Sequence, residues 1–113
     1  MLKNIAVSVP SEVYEILSSM AVSAPRSLLS IKLLRAFFKE NPPLRDMSGL
    51  MDQETHSFTL RVPQELIEQL EHFAARMGYT RHTALLVALV AQIGAEQPYF
   101  REPTSLPAGN VKW

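Results

Sequence analysis

Sliding the chain along itself by 53 positions brings two segments into register without a gap, and this internal repeat limits the possible fold more than any other feature. In that register Val9-Pro10 falls on Val62-Pro63, Glu12 on Glu65, Glu15 on Glu68, Leu17 on Leu70, Ala21 on Ala74 and Leu33 on Leu86. Apolar character persists at most other inward positions. Identity between the copies is low, but the same local signals recur in the same order in both.

Each copy opens on an alternating run, Asn4-Ile5-Ala6-Val7-Ser8-Val9 and Ser57-Phe58-Thr59-Leu60-Arg61-Val62. Period two with β-branched or aromatic residues on one side predicts a half-buried strand. Pro10 and Pro63 end these strands because proline has no N–H for a ladder, and Glu12 and Glu65 follow where a helix dipole favours negative charge. A first helix is predicted in each copy. Its apolar positions are Val13, Ile16, Leu17, Met20 and Ala21, then Leu66, Ile67, Leu70, Phe73, Ala74 and Met77, at the three-four spacing of one buried face. Ala24-Pro25 and Met77-Gly78 are expected to stop it, with Ser27 and Thr80 as N-caps of a second helix. The second helices, over residues 28–39 and 81–94, are apolar on more than one face and need several neighbours.

One strand-helix-helix unit of this size leaves a strand unpaired and apolar surface uncovered. Two units solve both problems if the strands pair antiparallel about a pseudo-twofold axis and four helices enclose one core. The expected fold is therefore mostly α with a short two-stranded antiparallel β-ribbon. Residues 1–40 form the first repeat, 41–56 a linker with Pro42-Pro43 and Ser48-Gly49, 57–96 the second repeat, and 97–113 an extended C-terminal tail.

Charge is balanced overall at eleven basic and eleven acidic residues, which gives no global attraction to nucleic acid. Its distribution is uneven. Lys3, Arg26, Lys32, Arg35, Lys39 and Arg45 make the first 45 residues net positive against Glu12, Glu15 and Glu40, and the second repeat is slightly acidic. The absence of cysteine rules out disulfides and thiolate metal sites. With no signal-peptide pattern at Met1-Leu2-Lys3, a cytoplasmic location is expected. The apolar run at 84–91 is shorter than the roughly 18 residues of a membrane-spanning helix, so no membrane role is expected.

These features resemble the ribbon-helix-helix family of Arc- and methionine-repressor-like DNA-binding proteins over roughly residues 3–95. The resemblance rests on the strand ending in Val-Pro, the acidic first turn, and the turns Pro25-Arg26-Ser27 and Gly78-Tyr79-Thr80. Two tandem copies, each followed by a proline-containing exit (Asn41-Pro42-Pro43 and Gln97-Pro98-Tyr99-Phe100), are similar in layout to TraY-type relaxosome accessory proteins. The resemblance implies a single-chain ribbon-helix-helix pseudo-dimer whose ribbon enters the major groove of double-stranded DNA, as a transcriptional regulator or plasmid-transfer accessory protein. With Ile5, Val7, Val9, Phe58, Leu60 and Val62 facing the helices, the base-reading set is Asn4, Ala6, Ser8, Ser57, Thr59 and Arg61. Arg61 suits guanine O6 and N7, and Asn4 suits adenine N6 and N7. The N-termini of the second helices, with Arg26 and Ser27 and with Thr80, Arg81 and His82, are the expected phosphate contacts.

The alternative is a protein-interaction module, antitoxin-like or scaffold-like, with a weakened DNA face. Neutral charge, the acidic second repeat and a tail carrying Tyr99, Phe100 and Trp113 favour it. Enzyme chemistry and cofactors are not expected. His56, His72 and His82 form no HExxH or i,i+4 ligand pair, and the glycines, which read as scattered turn residues, make no phosphate-binding loop. Few cationic contacts imply modest affinity per chain and cooperative binding of several copies on DNA. The tail is expected to be extended unless its aromatics dock or bind a protein partner.

Overall fold

Alternation and the two Val-Pro stops define the ribbon. The computed structural model describes residues 2–103, in which β1 (Leu2–Pro10) and β2 (Thr55–Pro63) pair antiparallel as the two strands of one sheet. The strands are nine residues each and begin and end 53 positions apart. At the middle of the ladder Ala6 faces Thr59, so the residue and its repeat equivalent are partners. Val7, Val9, Leu60 and Val62 are buried beneath the ribbon, with Ile5 and Phe58 half-buried. A slip of one residue would turn this apolar set to water, so burial of one face excludes odd slips of the register.

α1 (Ser11–Met20) and α3 (Gln64–Met77) start directly after Pro10 and Pro63, whose extended backbones occupy the cap positions. Each carries its glutamate, Glu12 or Glu65, in the first turn. α3 runs to Gly78, whose positive φ of 73° closes the helix, with Tyr79 N–H bonded to Ala74 O at 2.8 Å. α1 stops at Met20, short of the Ala24-Pro25 breaker expected from sequence. Serines crowd its end and Ser18 Oγ bonds back to Tyr14 O at 2.9 Å, a competition with helical structure that the alanine-rich end of α3 lacks.

α2 (Arg26–Glu40) and α4 (Arg81–Glu96) differ more than their apolar content suggests. Every residue from Ala84 to Gly94 is buried, so α4 is the central helix, packed by α2 and α3. α2 buries a single stripe, Ser30, Leu33, Leu34 and Phe37, and leaves Leu28 half exposed. Phe37, Phe38, Phe73 and Tyr79 meet edge to face and join the two repeats in one hydrophobic cluster. Thr80 caps α4 as expected, accepting from Thr83 N–H at 3.2 Å. Ser27 does not cap α2. Pro25 takes that position, because its fixed φ and missing N–H suit a helix entrance, and Ser27 falls inside the first turn.

The stretch between the repeats is packed. Met47 and Leu50 are buried, a 3-10 turn covers Leu50–Asp52, and the connection joins residues 97–103. Arg45 is buried and donates to Gly94 O at 2.8 Å, Arg101 O at 2.8 Å and Pro98 O at 3.2 Å. Gly94 thus lies within α4 rather than at a turn, and its missing side chain admits the Arg45 stem. Phe100 docks and Tyr99 stays exposed; Trp113 lies outside the described residues. Among the described residues no helix is long and apolar enough to cross a membrane.

Arg101 pins this closure to the start of α1. Its Nε and Nη2 donate to the two oxygens of Glu12 at 2.8 and 2.6 Å, while Gln53 joins Glu12 from the linker, its Nε2 donating to Glu12 Oε1 at 3.1 Å. The Arg101 hydrogen bond is the largest influence on Glu12. With help from Gln53 and the charge of Arg101, it outweighs partial burial and holds the carboxyl below its ordinary range. A depressed folded pKa stabilises the fold above the unfolded value, about 4.3, and that contribution is lost as pH falls through the folded value. Melting from pH 7 to 3 is expected to show wild type above Glu12→Gln at neutral pH, with the gap closing below about pH 4. A gap independent of pH would assign Glu12 a purely steric part.

Candidate nucleic-acid interface

The pleat that buries Val7 and Leu60 turns alternate residues outward. Asn4, Ala6, Ser57, Thr59 and Arg61 are exposed and Ser8 is half-buried, so all six expected reading positions share one face. They form three cross-strand pairs: Asn4 with Arg61, Ala6 with Thr59, and Ser8 with Ser57. The two serine hydroxyls bond each other at 2.9 Å. Asn4 and Arg61 make no side-chain hydrogen bond or ion pair among the described residues. A guanidinium and a carboxamide therefore stand side by side at one end of the ribbon with their donors open to water. Each can bond a base edge through two atoms.

The N-terminus of α4 borders this face. Arg81, His82 and Leu85 line a shallow cleft of about 190 Å³ with Ile5, Ala6 and Val7 of β1. His82 Nε2 lies 2.9 Å from Ser8 O; a carbonyl only accepts, so Nε2 carries the hydrogen in this contact. The Arg81 and His82 N–H groups stand in the first turn, where no carbonyl one turn earlier is available. Free donors and the helix dipole make such a place suited to an anion. Arg81 is 3.7 Å from Glu71 with both side chains about half exposed, a pairing that water keeps weak.

The other expected phosphate group is more occupied. Arg26 lies over the Tyr14 ring at 4.4 Å and its Nε donates to Ser18 Oγ at 2.6 Å; Tyr14 also stacks on His56 with centroids 4.3 Å apart. Ser27 is half-buried in the first turn of α2. The link between Arg26 and Tyr14 crosses the α1–α2 turn and has no sequence signature. The Ser8–Ser57 bond follows from the register once Ala6 is set against Thr59. His72 is exposed beside Glu68 and Glu71, and no group of three or more metal-ligating side chains occurs among the described residues.

The chain matches no protein-family profile, no curated protein and no solved structure. Its own geometry is therefore what bears on function.

Proposed function

We propose that the chain is a single-chain ribbon-helix-helix pseudo-dimer that binds double-stranded DNA with its β-ribbon in the major groove, as a transcriptional regulator or plasmid-transfer accessory protein. The observation that carries this reading is the exposed Asn4/Arg61 pair, without a side-chain partner among the described residues, on a ribbon whose opposite face is buried. A two-stranded ribbon fits the major groove, and these side chains suit adenine and guanine edges. Thr80, Arg81 and His82 then hold a flanking phosphate at the start of α4, with Arg26 and Ser27 in the matching place on α2. With Arg61 as the one cation on the reading face among the described residues, affinity per chain is modest and several copies bind adjacent subsites cooperatively.

A second reading, a protein-interaction module, is favoured by the internal engagement of Arg26 with Tyr14 and Ser18. Selection from a random pool of short duplexes, at low and moderate salt and with Arg61→Ala in parallel, separates the two. Under the DNA reading one motif is enriched, and Arg61→Ala lowers affinity for it by about 10-fold or more, the loss of one bidentate base contact. Absence of enrichment at both salts favours the interaction module.

A further inference from the structure

We infer that the DNA target is directional: a non-palindromic site that the chain reads at one end of its ribbon and occupies in one orientation. This rests on the DNA-binding reading above. A symmetric dimer presents the same side chains at both ends of its ribbon, which is why its half-sites mirror each other. Here Ala6 faces its own repeat equivalent, Thr59, at the centre, so any difference between the repeats becomes a difference between the two ends. Asn4 and Ser57 are repeat equivalents, as are Ser8 and Arg61. One end therefore carries Asn4 opposite Arg61, and the other carries Ser8 opposite Ser57.

The two ends differ in what they can recognise. Asn4 and Arg61 are exposed and have open paired donors or acceptors. The serines bond each other, and Ser8 is half-buried with its carbonyl engaged by His82. A hydroxyl donates or accepts with any base, so even its remaining capacity discriminates weakly. The pairs lie about 13 Å apart along the strand, roughly four base-pair steps. Base preference is concentrated under the Asn4/Arg61 end and fades toward the serine end, where contacts to the backbone take over.

The test compares wild type with Ser8→Arg/Ser57→Asn, which gives both ends the same pair. Each is used to select from random duplexes, and each is combined with Ser23→Cys. Because the chain has no cysteine, this single exposed thiol next to the start of α2 takes an iron chelate that cleaves nearby DNA. Wild type is expected to enrich a non-palindromic motif cut on one flank. The double variant is expected to enrich a palindrome in which the same half-motif appears twice, cut on both flanks. A palindromic wild-type motif, or equal cutting on both flanks by wild type, overturns directionality while leaving DNA binding intact. Enrichment of nothing by wild type overturns the DNA-binding reading, and directionality with it.

Discussion

Leu17→Ala and Leu70→Ala are each expected to destabilise the protein by about 2–5 kcal/mol, a fall in Tm on the order of 10 °C. The two leucines are repeat equivalents on α1 and α3, and both are fully buried in the shared cluster. Each truncation removes three carbons, one methine and two methyls, from contact with the core and leaves a space that surrounding side chains fill only in part. The equality matters as much as the size. If the repeats enclose one core, urea unfolding of either variant gives a single transition and a similar loss. A loss below about 1 kcal/mol for one of them would mean that its half of the core is loosely formed.

The second large effect concerns the crossing of Gly94 and Arg45. A methyl group on Gly94 would sit 2.4 Å from Arg45 Nε and 2.7 Å from its Cδ and Cγ. Those atoms are not free to move aside, because the guanidinium is buried and bonded to three carbonyls, one of them Gly94 O in the last turn of α4. Gly94→Ala is therefore expected to cost about 2–4 kcal/mol, from overpacking together with carbonyls left unbonded. Arg45→Ala should cost a similar amount by the second route. In the Arg45→Ala background the sign reverses: with the stem gone, Gly94→Ala is neutral or stabilises by up to about 1 kcal/mol, since alanine is the better helix former. Thermal melts of the four proteins form a double-mutant cycle with a large coupling. Additive losses would contradict the crossing.

That crossing also marks where the sequence stops being legible. The ribbon could be read because period-two alternation excludes every odd slip between the strands, and Pro10 and Pro63 stop both strands at equivalent points. The core stripes of α1 and α3 follow from three-four spacing. Gly94 was not legible, since a glycine near a helix end reads as punctuation, and only the return of residues 97–103 over Arg45 gives it a packing function. The inequality of α2 and α4 was hidden because both are rich in apolar residues, and the choice of central helix depends on the whole assembly. For the interface, alternation selects the six ribbon positions only together with the resemblance to ribbon-helix-helix proteins, which supplies the groove-facing role. It did not reveal that the serine pair bonds to itself, nor that Arg26 lies against Tyr14.

On the proposed function, the outer face of the ribbon is the DNA-contacting surface. The most direct test is a map of backbone amide shifts by NMR as a duplex from the random-pool selection is added to the full chain. DNA held by the ribbon would give the largest changes at Asn4, Ala6, Ser8, Ser57, Thr59 and Arg61, with a second group at residues 80–83 and little change along the exposed side of α3. Changes centred on α3 or on residues 97–103, with the ribbon amides unmoved, would contradict it.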